Sequence, residues 1–192
     1  MGEKLIDIFE PQLKKIRSQD IREVVKSVLR EGSDNFLGWA SSSTGKYHPP
    51  DEIRPEGMVI HIKRCVALAP DIARLFNFNA IEEDILIGAC ILHDLYKRGR
   101  NNDDPHTDSE HPVIVYEKIK QYGRGLIWVD YIANACLFHE GQWTIPVAYD
   151  IGRRPTVYAE AMHIIDMVVS RRVMHTIMQP EWTAKVLRSI NE

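Results

Sequence analysis

Apolar residues recur at three- and four-residue spacing through most of this chain, the period of an α-helix with one buried face. The pattern predicts helices near residues 3–16, 20–31, 57–76, 81–96, 109–122, 125–138, 156–177 and 181–190. No hairpin dipeptide stands between alternating segments, so no sheet is expected. Thr107-x-x-Glu110 ahead of Pro112 has the form of a capping box with proline in the first turn. Pro155-Thr156 and Pro180-Glu181 punctuate the last two helices. The 192 residues hold no internal repeat and no linker that would divide them. The expectation is an all-α chain forming a single compact helical bundle over 1–192. Its N-terminal helices fall in 1–40, its core in 41–170 and its C-terminal helices in 171–192.

Composition narrows the class of partner. Lys and Arg number 24 against 27 Asp and Glu, a net charge of −3, so no global positive field attracts nucleic acid. A polyanion would have to be held by a local patch. The longest apolar run, Ile85–Leu92, falls well short of the roughly 18 residues a membrane span needs, and it ends at His93-Asp94. Met1-Gly2-Glu3-Lys4 does not open a secretory signal, and Ile6 stands where a myristoylation motif wants Ser or Thr. Cys65, Cys90 and Cys136 are odd in number and lie among apolar neighbours. They read as buried free thiols without a disulfide partner, and the expected location is cytoplasmic.

Polar residues interrupt the apolar stripes at particular places. His61 shares a helical face with Met58, Ile62 and Cys65. His93 continues the stripe Leu86–Ala89–Cys90, and Asp94 continues Ile87–Cys90–Ile91. His111 heads a stripe with Ile114, Val115 and Ile119, while His139 follows Cys136 and Ile132. Asp166 lies with Met162, Ile165 and Val169. Singly, each histidine is more often a hydrogen-bonded core residue than a ligand, and Asp166 would suit an arginine partner such as Arg171. Jointly they need one reason, because an unpaired buried carboxylate costs several kcal/mol. Coordination of a divalent metal offsets that cost. Imidazole with carboxylate suits zinc, iron, manganese, cobalt or nickel, and the absence of clustered cysteine argues against a thiolate site.

The order His61, His93-Asp94, His111, His139, Asp166 resembles the ligand series of the HD superfamily of metal-dependent phosphohydrolases. The resemblance covers roughly residues 40–170. Ile91-Leu92-His93-Asp94-Leu95-Tyr96-Lys97 is similar to the family's apolar-HD-x-x-K segment. Gly45-Lys46-Tyr47-His48-Pro49 followed by Gly57-Met58-Val59-Ile60-His61 resembles the entry to the domain in phage and bacterial HD proteins. Met162-His163-Ile164-Ile165-Asp166 resembles the closing His-x-x-Asp in the HD module of bacterial 3′-5′ exoribonucleases. The resemblance implies a single HD domain binding two divalent transition-metal ions. The first would be held by His61, His93, Asp94 and Asp166, and Asp94 would bridge to a second held by His111 and His139. A hydroxide between them would attack phosphorus.

Lys97 lies four residues after His93 and three after Asp94, so its ammonium should overhang the same face and neutralise a phosphoryl oxygen. The resemblance places Lys46, Tyr47 and His48 near the metals, where their types suit phosphate, base or sugar. His163, one turn before Asp166, could orient that carboxylate. Trp143 suits either stacking on a base or packing in a core, and His106 either a phosphate contact or a solvated loop. Arg153-Arg154 and Arg171-Arg172 could form a basic rim. Two departures bear on substrate. Lys97 stands where single-metal nucleotidases and dNTP triphosphohydrolases of the superfamily often place an acid–base group. Glu140-Gly141-Gln142-Trp143 lacks the signature of cyclic-di-GMP phosphodiesterases.

The expected activity is hydrolysis of a phosphoester or phosphoanhydride bond in a nucleotide or short oligonucleotide, by a phosphodiesterase or nucleotidase. Two other readings of the same ligands stay open: a mixed-valent di-iron oxygenase, and a nucleotide-sensing module without turnover. An oligomer is compatible with either.

Overall fold

The computed structural model describes residues 3–42, 44–123, 125–151 and 154–171. In chain order its helices are α1 (Glu3–Leu13), α2 (Gln19–Arg30), α3 (Gly57–Leu75), α4 (Ala80–Leu92), α5 (His111–Tyr122), α6 (Ile127–Leu137), α7 (Pro146–Asp150) and α8 (Val157–Val169). Two 3-10 turns, Asp34–Gly38 and Gly141–Trp143, complete the regular structure, and no strand occurs among the described residues. The chain is all-α, a helical bundle arranged around α4.

α4 owes its central place to its composition. Every residue from Asp84 to Leu92 is buried, and a helix apolar on all sides belongs inside others. α1, α2, α3, α6 and α8 all pack against it. Its start is fixed by a capping box absent from the sequence-based expectations. Asn79 Oδ1 accepts from the N–H groups of Ile81 (2.9 Å) and Glu82 (3.2 Å), and Glu82 Oε2 accepts from Asn79 N–H (2.8 Å). Asp84 accepts from Ser18 N–H (2.8 Å) and Arg17 Nε (3.3 Å), which ties the α1–α2 junction to α4. Leu86, Leu92, Leu29, Phe9 and Met162 are wholly buried around this axis. Each such side chain contributes about 1.5–3 kcal/mol relative to exposure.

The predicted helix at 81–96 ends earlier, at Leu92. From there the backbone winds in tight i→i+3 turns: Leu95 N–H donates to Leu92 (3.0 Å), Lys97 to Asp94 (3.1 Å) and Gly99 to Tyr96 (2.9 Å). Apolar spacing cannot distinguish such a turn from a continuing helix. The Thr107–Glu110 capping box does not form. Glu110 caps α5 without a side-chain bond, and Asp108 instead accepts from Glu110 N–H at 2.8 Å. Thr156 does cap α8, accepting from Ala159 N–H. α7, only five residues long, shows no full apolar period, so the spacing does not predict it. The predicted helix at 181–190, the end of the one at 156–177, and Arg153 and Arg172 lie outside the described residues.

Candidate metal centre

The six side chains singled out by pattern come from five parts of the chain and meet at one end of the bundle. α3 presents His61, the end of α4 presents His93 and Asp94, the first residue of α5 is His111, the turn after α6 holds His139, and α8 presents Asp166. All but Asp166 are at most 2% exposed.

Their geometry divides around Asp94. Its Oδ2 lies 3.5 Å from His93 Nε2 and 3.9 Å from His61 Nε2. Asp166 Oδ1 completes that side at 3.1 Å from His61 Nε2 and 4.0 Å from His93 Nε2. The other oxygen, Asp94 Oδ1, lies 3.2 Å from His111 Nε2 and 3.6 Å from His139 Nε2. One carboxylate thus turns an oxygen to each of two histidine pairs. Lys97 Nζ donates to Asp94 Oδ2 at 2.6 Å. The i→i+3 turn accounts for this contact, since residues three apart eclipse in that geometry.

The imidazoles are held from behind. His93 Nδ1 donates to the carbonyl of Cys90 (3.0 Å), His111 Nδ1 to that of Asp108 (2.6 Å) and His139 Nδ1 to that of Cys136 (2.7 Å). A carbonyl only accepts, so the Nδ1 atoms carry the protons and a neutral ring turns its Nε2 lone pair to the centre. His61 Nδ1 faces Glu52 Oε2 at 3.3 Å. Ring nitrogens consequently crowd one another: His61 Nε2 and His93 Nε2 are 3.3 Å apart, as are His111 Nε2 and His139 Nε2. Asp94 Oδ1 is buried without a hydrogen bond. Acceptors converging on acceptors need positive charge between them. Burial holds the His93 imidazole down at about 3, which keeps it neutral. Against burial, Asp94 and Asp166 draw the His139 imidazole toward protonation. The donor set fits divalent cations, which would supply the missing charge. Among the described residues three groups have ligand atoms close enough to share an ion: His61, Cys65, His93 and Asp166; His48, Glu52 and His61; and Asp94, His111 and His139.

Behind His61 lies a buried ionic network that the sequence did not reveal. Glu52 is completely buried, with Oε2 accepting from His48 Nδ1 (3.0 Å) and Oε1 from Arg64 Nη1 (2.6 Å). Arg64, also fully buried, forks onto Asp51 through Nη1 (3.0 Å) and Nη2 (2.6 Å). Burial opposes ionisation of Glu52, but His48, His61 and Arg64 lower its carboxyl to about 2. Gly57 permits this loop to close on α3, because a Cβ there would meet the Glu52 carbonyl oxygen at 2.0 Å. The one available signal was Arg64 falling three residues after His61 within an apolar run. The Glu52 carboxylate, 3.3 Å from His61 Nδ1, favours a proton on that nitrogen. We expect Glu52→Gln to weaken Mn²⁺ binding about 10- to 100-fold, measured by calorimetric titration. Unchanged affinity would show that Glu52 does not position His61.

The remaining predicted residues take varied places. A cleft of about 570 Å³ opens beside Asp166, lined by Tyr47, His48, Glu140, Trp143, His163, Met167, Ser170 and Arg171. Tyr47 and His48 are therefore on its wall, and Lys46 is exposed with Nζ 5.0 Å from the Tyr47 ring centre. His163 does not orient Asp166. Its Nδ1 donates to the carbonyl of His139 at 2.8 Å, and Ser170 Oγ donates to Asp166 Oδ1 at 3.2 Å. The loop after His139 crosses close beneath the His163 ring, where Gly141 (φ 58°) leaves no room for a Cβ. Asp166 is thus partnered by His61 and Ser170 rather than by Arg171. His106 is exposed. The three cysteines are buried and free.

A helical bundle that gathers four histidines and two aspartates at one end defines a metal-site protein of the His-Asp type. The HD domain family model matches residues 58–171, more than half the chain, and the chain belongs to the HD domain family. Members are generally metal-dependent hydrolases, and membership implies a divalent metal. No curated protein and no solved structure matches the chain. No helix among the described residues is long and apolar enough to cross a membrane.

Proposed function

We propose that this HD-domain chain hydrolyses a phosphoester or phosphoanhydride bond of a nucleotide or short nucleic acid, as a phosphodiesterase or nucleotidase. The observation that carries the proposal is the placing of Asp94, one oxygen toward each histidine pair with Lys97 against it. His61, His93, Asp94 and Asp166 would hold a first divalent ion, and Asp94, His111 and His139 a second, with manganese, iron, cobalt, nickel and zinc all suited to the donors. When bound, such ions supply Lewis acidity toward a phosphoryl oxygen and acidify water for attack. The chain's own residues do the rest. Against its burial, Asp94 and Asp166 raise the Lys97 amine, so it stays an ammonium and can donate to the charge that develops on phosphorus-bound oxygen. Arg171 on the cleft wall and Lys46 beside Tyr47 would offset the substrate's remaining charge. Buried thiols without disulfides suit a cytoplasmic setting.

A panel of nucleotides and short oligonucleotides, each with the five metals in turn, tests the reading. Turnover that requires metal supports it, and saturable binding without turnover under every metal contradicts it. Lys97→Met separates chemistry from metal capture. We expect kcat to fall about 10²- to 10³-fold. Metal affinity should not weaken, because removing a cation beside the site favours another. A kcat within threefold of wild type would remove Lys97 from the reaction.

A further inference from the structure

The cleft beside the metal centre carries an aromatic surface that hydrolysis itself does not require. Trp143 is 58% exposed, although it stands within the three-residue turn that follows His139. That turn is firmly built. Trp143 N–H donates to the Glu140 carbonyl (3.2 Å), Thr144 N–H donates to that of Gly141 (3.1 Å), and the indole lies 6.2 Å from the His163 ring, itself bonded to His139. Such a large apolar side chain, held on the lining of the cleft, offers a flat surface. Tyr47 on the cleft lining is 53% exposed, with Lys46 Nζ 5.0 Å and Arg171 Cζ 5.4 Å from its ring centre. Here two cations are gathered on one ring, positioned for an anion.

We infer that Trp143 stacks an unpaired nucleobase while Lys46 and Arg171, ordered by Tyr47, receive the adjoining phosphate. The inference rests on the proposed phosphohydrolase reading and narrows its substrate class to nucleoside phosphates and single-stranded ends. Base–aromatic stacking tolerates any base, so selection is for the presence of a base and against its absence. The volume of about 570 Å³ lies within the ordinary range for a small-molecule site and suits one nucleotide. A base paired in a duplex has both faces covered by its neighbours and cannot stack on the indole without being extruded.

The test is equilibrium binding of nucleoside 5′-monophosphates and of ribose 5-phosphate to the Mn²⁺-loaded full chain, followed by calorimetry, for wild type and Trp143→Ala. Wild type should bind the nucleotides about 5- to 150-fold more tightly than the sugar phosphate, and Trp143→Ala should bring that ratio close to one. Trp143→Phe, which keeps a ring, should retain part of the preference. Equal affinities in wild type, or a preference that survives Trp143→Ala, would overturn the inference. Because binding is read directly, base preference without turnover contradicts only the hydrolytic reading, while turnover without base preference contradicts only this one.

Discussion

Asp94→Ala loses bound metal and catalytic turnover together while its helix content stays close to that of wild type. The carboxylate turns one oxygen to His61 and His93 and the other to His111 and His139, so its removal takes a ligand from both places at once. The loss of Lewis-acid stabilisation is worth several kcal/mol, which corresponds to a fall of about 10³-fold or more in kcat/KM. The fold should survive, because Asp94 lies in turns beyond α4 and the packing of that helix does not depend on it. Elemental analysis of the dialysed protein, circular dichroism and steady-state kinetics together check the outcome. A variant with full metal content and wild-type metal-dependent turnover would refute the role of Asp94.

Arg64→Ala destabilises the chain by about 3–5 kcal/mol, through the charges it leaves behind. Asp51 and Glu52 are buried acids whose guanidinium partner lies at 2.6–3.0 Å, and removing it leaves buried negative charge less well compensated. Against a total stability of about 5–15 kcal/mol, that is a large share. At about 2–4 °C per kcal/mol for a chain of this size, the melting temperature should drop by roughly 6–20 °C. Arg64→Lys should recover little, since an ammonium cannot reproduce the fork onto Asp51. Thermal denaturation followed by circular dichroism measures both variants. An Arg64→Ala midpoint within about 2 °C of wild type, the shift expected for 1 kcal/mol or less, would mean that the network carries little stability.

The helices were legible because little besides a helix with one buried face produces an apolar stripe at that spacing. α4 was the plainest case, since its apolar run could only be buried. The convergence of His61, His93, Asp94, His111, His139 and Asp166 was legible for a related reason. Polar groups on inward faces must meet something, and six of them point to a common solution. The segment after α4 was not legible, because three-residue spacing reads alike in a helix and in successive tight turns. Asp51 and Glu52 come after two prolines in a polar loop, and Lys63-Arg64 resembles an ordinary solvated pair. Their burial is decided by the approach of the loop to α3, a tertiary event at Gly57 that no local pattern encodes. His163 illustrates the opposite error. Its spacing pointed to Asp166, but the path of the chain at Gly141 gave its ring a backbone partner instead.

Anomalous diffraction from crystals of the Mn²⁺-loaded protein probes the cations themselves. One peak is expected among His61, His93, Asp94 and Asp166, and a second among Asp94, His111 and His139, both absent from Asp94→Ala crystals. Manganese bound only at other places, with the six side chains joined to one another and no ion between them, would contradict the account.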